Sequence, residues 1–186
     1  MLDVDTIPIS IGSYLAGFTD GEGSFNISFR PRGDYKSGWK ISACFNISNK
    51  DLVILQKFKE VFKCGTLRSR PDDVWYFEIN NLPDLIESVI PFFRRFGFIS
   101  AKKTNDFAIF CKIVSILQSQ EHRSEKAIRE ILEMRNLMNG GGKRKYSDTE
   151  ILSRLKESSE TNTPNLHSLH MQDDRVRSSW RHEATK

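Results

Sequence analysis

Between residues 10 and 79 the apolar residues switch twice from helical to alternating spacing, and this constrains the fold more than any other feature. Ile11, Leu15 and Phe18 fall at i, i+4 and i+7, so residues 10–20 read as a helix with Ser10 as its N-cap. Phe25, Ile27 and Phe29 then alternate with Ser24, Asn26, Ser28 and Arg30, the pattern of a half-buried strand. After the turn-rich "PRGDYKSG", Ile41, Ala43, Phe45 and Ile47 alternate with Lys40, Ser42, Cys44, Asn46 and Ser48, completing a hairpin. Residues 51–63 return to the helical period, with Leu52, Leu55, Phe58 and Phe62 inward. A second hairpin, "GTLRSR" and "VWYFEIN", turns at Pro71-Asp72-Asp73. The order predicts an α+β fold: a four-stranded antiparallel sheet with helices on one face and a polar, basic, open surface on the other.

Three further helices are expected, over residues 83–93, 100–118 and 124–138. The triple glycine at 140–142 reads as the end of the domain, so residues 1–139 form one unit and 140–157 a glycine linker with a short helix. "SDTE" (Ser147 to Glu150) is a capping box for that helix, ahead of Ile151, Leu152 and Leu155. Residues 158–186 are polar and unpatterned and read as a disordered tail, in which His167 and His170 have only a loose metal-like spacing.

The formal charge of +4 is a mild hint of an acidic partner, but its distribution says more. From Asn26 to Arg70 there are ten bases against three acids, an excess that points to nucleic acid if it gathers on one face. Cys44, Cys64 and Cys111 are odd in number and without paired spacing, which argues against a disulfide framework and for a reducing, intracellular compartment. The start "MLDVDTIPIS" has no signal-like run, and no segment has membrane-spanning length, so no membrane partner is expected.

The first helix carries a second stripe, Ser13, Ala16, Gly17 and Asp20, of small residues plus one acid. Small residues let another backbone approach closely, in the same chain or in a second copy. Glu22 follows where the helix dipole opposes a carboxylate, beside glycines that leave carbonyls accessible. Such oxygens suit Mg²⁺, which keeps several waters. One carboxylate is a poor metal site, whereas two copies packed on their small stripes would bring two Glu22 side chains together, half of what two-metal phosphodiester cleavage requires. The plainer alternative is a helix C-cap in which Gly21 and Gly23 supply positive φ and both acids are solvated.

"LAGFTDGEG" (Leu15 to Gly23) resembles the signature of the LAGLIDADG homing endonucleases, with Phe18 and Thr19 in place of Leu-Ile and Glu22 as the second acid. The "SF" that follows, the element order and the late "KK" before an aromatic helix resemble that family as well, over residues 10–140. The resemblance implies the αββαββα-type fold and a metal-dependent, site-specific DNA endonuclease, intron-encoded, in an organelle or a bacterial cytoplasm. With one motif copy, it would act as a homodimer on a long pseudo-palindromic site.

It further implies that Glu22 holds the catalytic Mg²⁺ with help from the Gly21 carbonyl, and that Asp20 supports the interface of Ser13, Ala16 and Gly17. Asn49 resembles a position that orders water near the scissile phosphate, and Lys103, with Lys102 as the alternative, a basic residue beside it. Double-stranded DNA would lie along Ser24, Asn26, Ser28, Arg30, Arg32, Lys40, Ser42, Cys44, Asn46, Ser48, Arg68, Arg70, Tyr76 and Glu78. The alternatives are an RNA maturase acting on its intron and a non-cleaving DNA-binding regulator of the same fold.

Overall fold

The structure, a computed structural model, describes residues 1–160 except 36, 120–123 and 143, and from 156 onward only the backbone of the last helix. The expected tail with His167 and His170 lies outside the described residues. In chain order the elements are α1 (Ile9–Glu22), β1 (Gly23–Pro31), β2 (Trp39–Asn49), α2 (Leu52–Phe62), β3 (Thr66–Ser69) and β4 (Trp75–Ile79). Next comes α3, which starts as Leu82–Asp84, widens to a π turn over Leu85–Val89 and continues as Ile90–Phe96. α4 (Ala101–Gln118), α5 (Glu125–Asn136) and α6 (Asp148–Glu160) follow.

The strands form one antiparallel sheet in the order β1-β2-β4-β3, as the alternating pattern requires. Gly23 pairs with Ile47 and Pro31 with Trp39, and Phe25, Ile27, Phe29, Trp39, Ile41, Ala43, Phe45 and Ile47 are all buried on the face toward the helices. Phe25 and Phe45 stack at 5.4 Å, and Phe93 meets both rings edge-on at 5.6 and 5.2 Å. This aromatic cluster ties the sheet to α2, α3 and α4. Truncating its centre by Phe45→Ala is expected to cost about 3–5 kcal/mol in a denaturant titration, because the surrounding rings cannot collapse into the hole. A loss under about 1 kcal/mol would contradict the packing.

Four expectations change. α1 begins at Ile9 with Pro8, not Ser10, in the N-cap position, because the fixed proline dihedral already sets the entry and the Pro8 carbonyl accepts from Gly12 N at 2.9 Å. The helix runs on through Gly21 and Glu22 and passes into β1 without a loop, so neither Gly21 nor Gly23 takes a positive φ. Gly23 is needed for space instead: a Cβ there would lie 2.5 Å from Thr19 Cγ2 and 2.9 Å from the Thr19 carbonyl. Third, α3 extends to Phe96 and absorbs Pro91 through its π turn. Pro91 has no N–H for the Glu87 carbonyl, and Leu2 N fills that place at 2.8 Å.

The fourth change concerns the glycines at 140–142, which do not separate a linker from the domain. Asn139, Gly140 and Gly141 all have positive φ and turn the chain back, so that Ile151 and Leu155 of α6 join the main core. Trp39 Nε1 donates to the Ile151 carbonyl at 3.2 Å, and the buried Arg135 pairs with Asp148 at 2.7 Å while lying over the Phe29 ring. The capping box at Ser147 and Glu150 is formed in both directions, at 3.2 and 2.7 Å.

Candidate active site and nucleic-acid surface

The direct passage from α1 into β1 sets the geometry of the candidate site. Glu22 is the last helical residue and exposed, and its carboxylate forms no hydrogen bond among the described residues. Gly23 N caps the Thr19 carbonyl, after which the carbonyls of Asp20, Gly21 and Glu22 have no donor one turn ahead in the helix. A carboxylate beside open carbonyls at a dipole's negative end is an oxygen-rich, cation-seeking surface. This donor set fits a hydrated Mg²⁺ held by Glu22 and the Gly21 carbonyl, but as half a site. Among the described residues no three His, Cys, Asp or Glu side chains gather to hold a metal.

Lys103 comes to the same place from the first turn of α4, where its Nζ donates to the Gly23 carbonyl. Burial is the main cause holding this ammonium below the usual lysine pKa, Lys102 adds to it, and Asp106, Asp20 and Glu22 pull the other way. The Asp20 carboxylate is used structurally. It accepts from Ile99 N at 3.1 Å and Ser100 N at 2.9 Å, and also from the Ser100 hydroxyl, which itself caps α4 by accepting from Lys103 N at 3.2 Å. Desolvation pushes the Asp20 pKa up, but the bonds from Ser100 and Ile99 outweigh it and leave it lowered. Asp20→Ala is therefore expected to cost about 1–2 kcal/mol, in the range of a lost helix cap, with cleavage reduced in proportion to folding. Complete loss of cleavage at unchanged stability would place Asp20 in the chemistry instead.

Asn49 ends β2 two residues past the partner of Gly23, at the same end of the sheet as Glu22. Its Oδ1 accepts from Asp51 N at 2.8 Å, which orients the side chain locally. Two residues near the site escaped the sequence reading. Asp106 is only 3% exposed and accepts from Asn139 N at 3.1 Å, while Asn139 Nδ2 donates to the Phe25 carbonyl at 2.9 Å. Together they fasten the turn after α5 beside Lys102 and Lys103. One signal was visible: Asp106 is the only acid in the inward stripe of α4 that holds Phe107, Phe110, Ile113, Val114 and Leu117.

The small stripe divides. Ala16 is buried in its own chain's core at 2% exposure, and Asp20 is engaged with α4. The open line on α1 is instead Ser13, Gly17 and Gly21, and a Cβ at either glycine would meet nothing within 4 Å. Exposed Ile9 and Tyr14 lie on the same helix.

The register assembles the outward positions into cross-strand rows. Ser24, Asn46, Glu78 and Thr66 form one row, and Ser48, Tyr76 and Arg68 another. Asn26 lies opposite Cys44, Ser28 opposite Ser42, and Arg30 opposite Lys40. Arg32 leaves the sheet and pairs with Asp34 at 2.7 Å, while Arg70 lies in the turn after β3. The ten bases of this segment are thus not all on one face. Lys57, Lys59 and Lys63 belong to α2 or its C-cap, with Lys57 paired to Glu60 and Lys59 bonded to the Gly65 carbonyl. The described cysteines are free thiols, and no described helix is long and apolar enough to cross a membrane.

The sequence model described as "LAGLIDADG endonuclease" matches residues 15–114 of this chain. A Neurospora crassa protein named "Probable intron-encoded endonuclease 2" is 32% identical over 133 residues, 69% of this chain and 29% of its own length. DNA endonuclease I-CeuI of Chlamydomonas moewusii is 29% identical over 141 residues, 71% of this chain and 65% of its own. Among solved structures, I-SmaMI bound to an uncleaved DNA target in the presence of calcium ions superposes with a TM-score of 0.68 at 25% identity, over 79% of this chain and 49% of that one. The chain therefore spans less than two thirds of the length of each of these relatives.

Proposed function

Since the chain belongs to the LAGLIDADG endonuclease family, as the match over residues 15–114 establishes, we propose that it is a Mg²⁺-dependent, site-specific DNA endonuclease acting as a homodimer. The observation that carries this reading is the convergence of Glu22, the Gly21 carbonyl and Lys103 at the point where α1 meets the sheet. One chain supplies one metal-binding carboxylate there, so two copies are needed for a paired site. The open line of Ser13, Gly17 and Gly21 lets two α1 helices approach, and the span of 49% of the longer I-SmaMI chain is consistent with two such units per assembly.

A divalent cation at Glu22 supplies charge neutralisation at the phosphate oxygens and acidified water. The chain's own residues do the rest. Lys103, tethered by the Gly23 carbonyl, presents a half-buried ammonium to charge developing on the phosphate. Asn49, fixed by its bond to Asp51 N, offers an amide that can orient water at the same end of the sheet. Outward rows of β1, β2, β3 and β4 enter the major groove, which admits a β-ribbon. The nine residues of β1 reach about 30 Å, roughly nine base pairs, so two subunits read a long, near-palindromic site. The name of the Neurospora relative supports an intron-encoded origin.

Binding to duplex DNA and to structured intron RNA, measured side by side at several salt concentrations, tests this reading. Preference for one duplex sequence is the expected result. Preference for the RNA, with no selective duplex binding, would replace the enzyme by a maturase.

A further inference from the structure

The outer face of the sheet carries one acid among its described outward residues. Glu78 sits mid-row between Asn46 and Thr66, flanked by Tyr76 and Arg68 in the adjoining row. A bare carboxylate facing phosphates would weaken binding, yet this one is not bare. Its Oε1 accepts from Arg68 Nη2 at 3.0 Å and from Asn80 Nδ2 at 2.9 Å. The Glu78 side chain is 17% exposed while the Arg68 side chain is 55% exposed, so the acid lies beneath and the guanidinium stands proud. Tyr76 is the second support: Arg68 lies over its ring at 5.6 Å and Arg70 at 4.4 Å.

The geometry points to a specificity device in which Glu78 and Tyr76 act on DNA through Arg68, holding its guanidinium ready to read a guanine. An arginine has five N–H donors, four of which form two two-donor edges. The bond from Nη2 to Glu78 uses one hydrogen and leaves the other edge whole, which is the edge needed for a bidentate contact to guanine O6 and N7. Holding the side chain in place beforehand removes rotamer entropy that binding would otherwise cost. Arg70, stacked on the same ring but without a carboxylate partner among the described residues, is restrained less and suits a phosphate contact.

This inference rests on the proposal that the sheet reads duplex DNA, and the two can fail separately. Once the target is known, every base pair is varied singly, and relative affinities are measured for wild type, Arg68→Ala, Glu78→Gln, the double variant and Tyr76→Phe. Affinity ratios between sequences do not depend on the fraction of each preparation that folds. Arg68→Ala is expected to relax preference at one position per half-site by roughly 5- to 100-fold. Glu78→Gln should relax the same position by about threefold or more, since the carboxylate–guanidinium ion pair is replaced by a weaker bond to a neutral amide. The double variant should be no worse than Arg68→Ala, and Tyr76→Phe, which keeps the ring, should match wild type.

An unchanged preference in Glu78→Gln, with Arg68→Ala relaxed, overturns the inference alone. So does a Glu78→Gln effect at a different position that persists without Arg68, which would mean that the carboxylate reads a base itself. Uniform weakening by Arg68→Ala makes that residue a phosphate contact and removes the device while leaving duplex binding intact. Absence of any sequence-selective duplex binding by wild type takes down both readings.

Discussion

Replacing Glu22 by Gln is expected to lower the rate of DNA cleavage by more than about a hundredfold while leaving sequence-specific affinity within a few-fold of wild type. The side chain is nearly isosteric and exposed, and its carboxylate accepts no hydrogen bond among the described residues and acts on Lys103 only through its charge, so the fold loses little. What would disappear is the negative charge proposed to hold a divalent cation at the end of α1. The outward rows of the sheet, which lead away from Glu22 along β1, remain as they were. Binding and cutting should therefore separate. Full cleavage by purified Glu22→Gln would remove the carboxylate from the chemistry, and loss of binding together with cutting would make Glu22 a DNA contact.

The second large effect is expected from Gly17→Leu. In the monomer this substitution is harmless, because a Cβ at position 17 meets nothing within 4 Å, and leucine favours the helix over glycine by up to about 1 kcal/mol. Thermal stability of the monomer should stay level or rise. In the proposed dimer the side chain would occupy the line along which a second α1 approaches. Sedimentation should then report half the wild-type mass, and cleavage should fall by more than about a hundredfold because each subunit carries only one metal-binding acid. A dimer that survives Gly17→Leu with its activity would place the interface elsewhere.

The strands were legible because their signal is local. Alternation in β1 and β2 has a period of two, and a one-residue error would expose three aromatic or aliphatic side chains in β1 or five in β2 at once. The same locality explains what was misread. Ala16 and Gly17 are adjacent small residues, and small size suits close packing within a chain as well as between chains. Only the fold places Ala16 in the core with Leu15 and leaves Gly17 open. The charge excess from Asn26 to Arg70 was read along the chain, but α2 lies in that segment and carries its lysines to another layer.

The glycines after Met138 are a general sign of a break, and here their positive φ makes a reversal that brings α6 home. The bond from Asn139 to Asp106 spans 33 residues, and no spacing rule announces such a partner. At the candidate site, Glu22 and Lys103 were singled out by motif. The use of Asp20 as the anchor of α4 is written in backbone geometry 80 residues away.

The most direct measurement is to incubate the purified protein with a randomised duplex library in Mg²⁺, in Ca²⁺ and without metal, and to sequence the ends produced. The expected result is a single, nearly palindromic site cut in both strands with Mg²⁺ only. Tight selection of one sequence with no cut in any metal would contradict it and leave a protein that reads DNA without cleaving it.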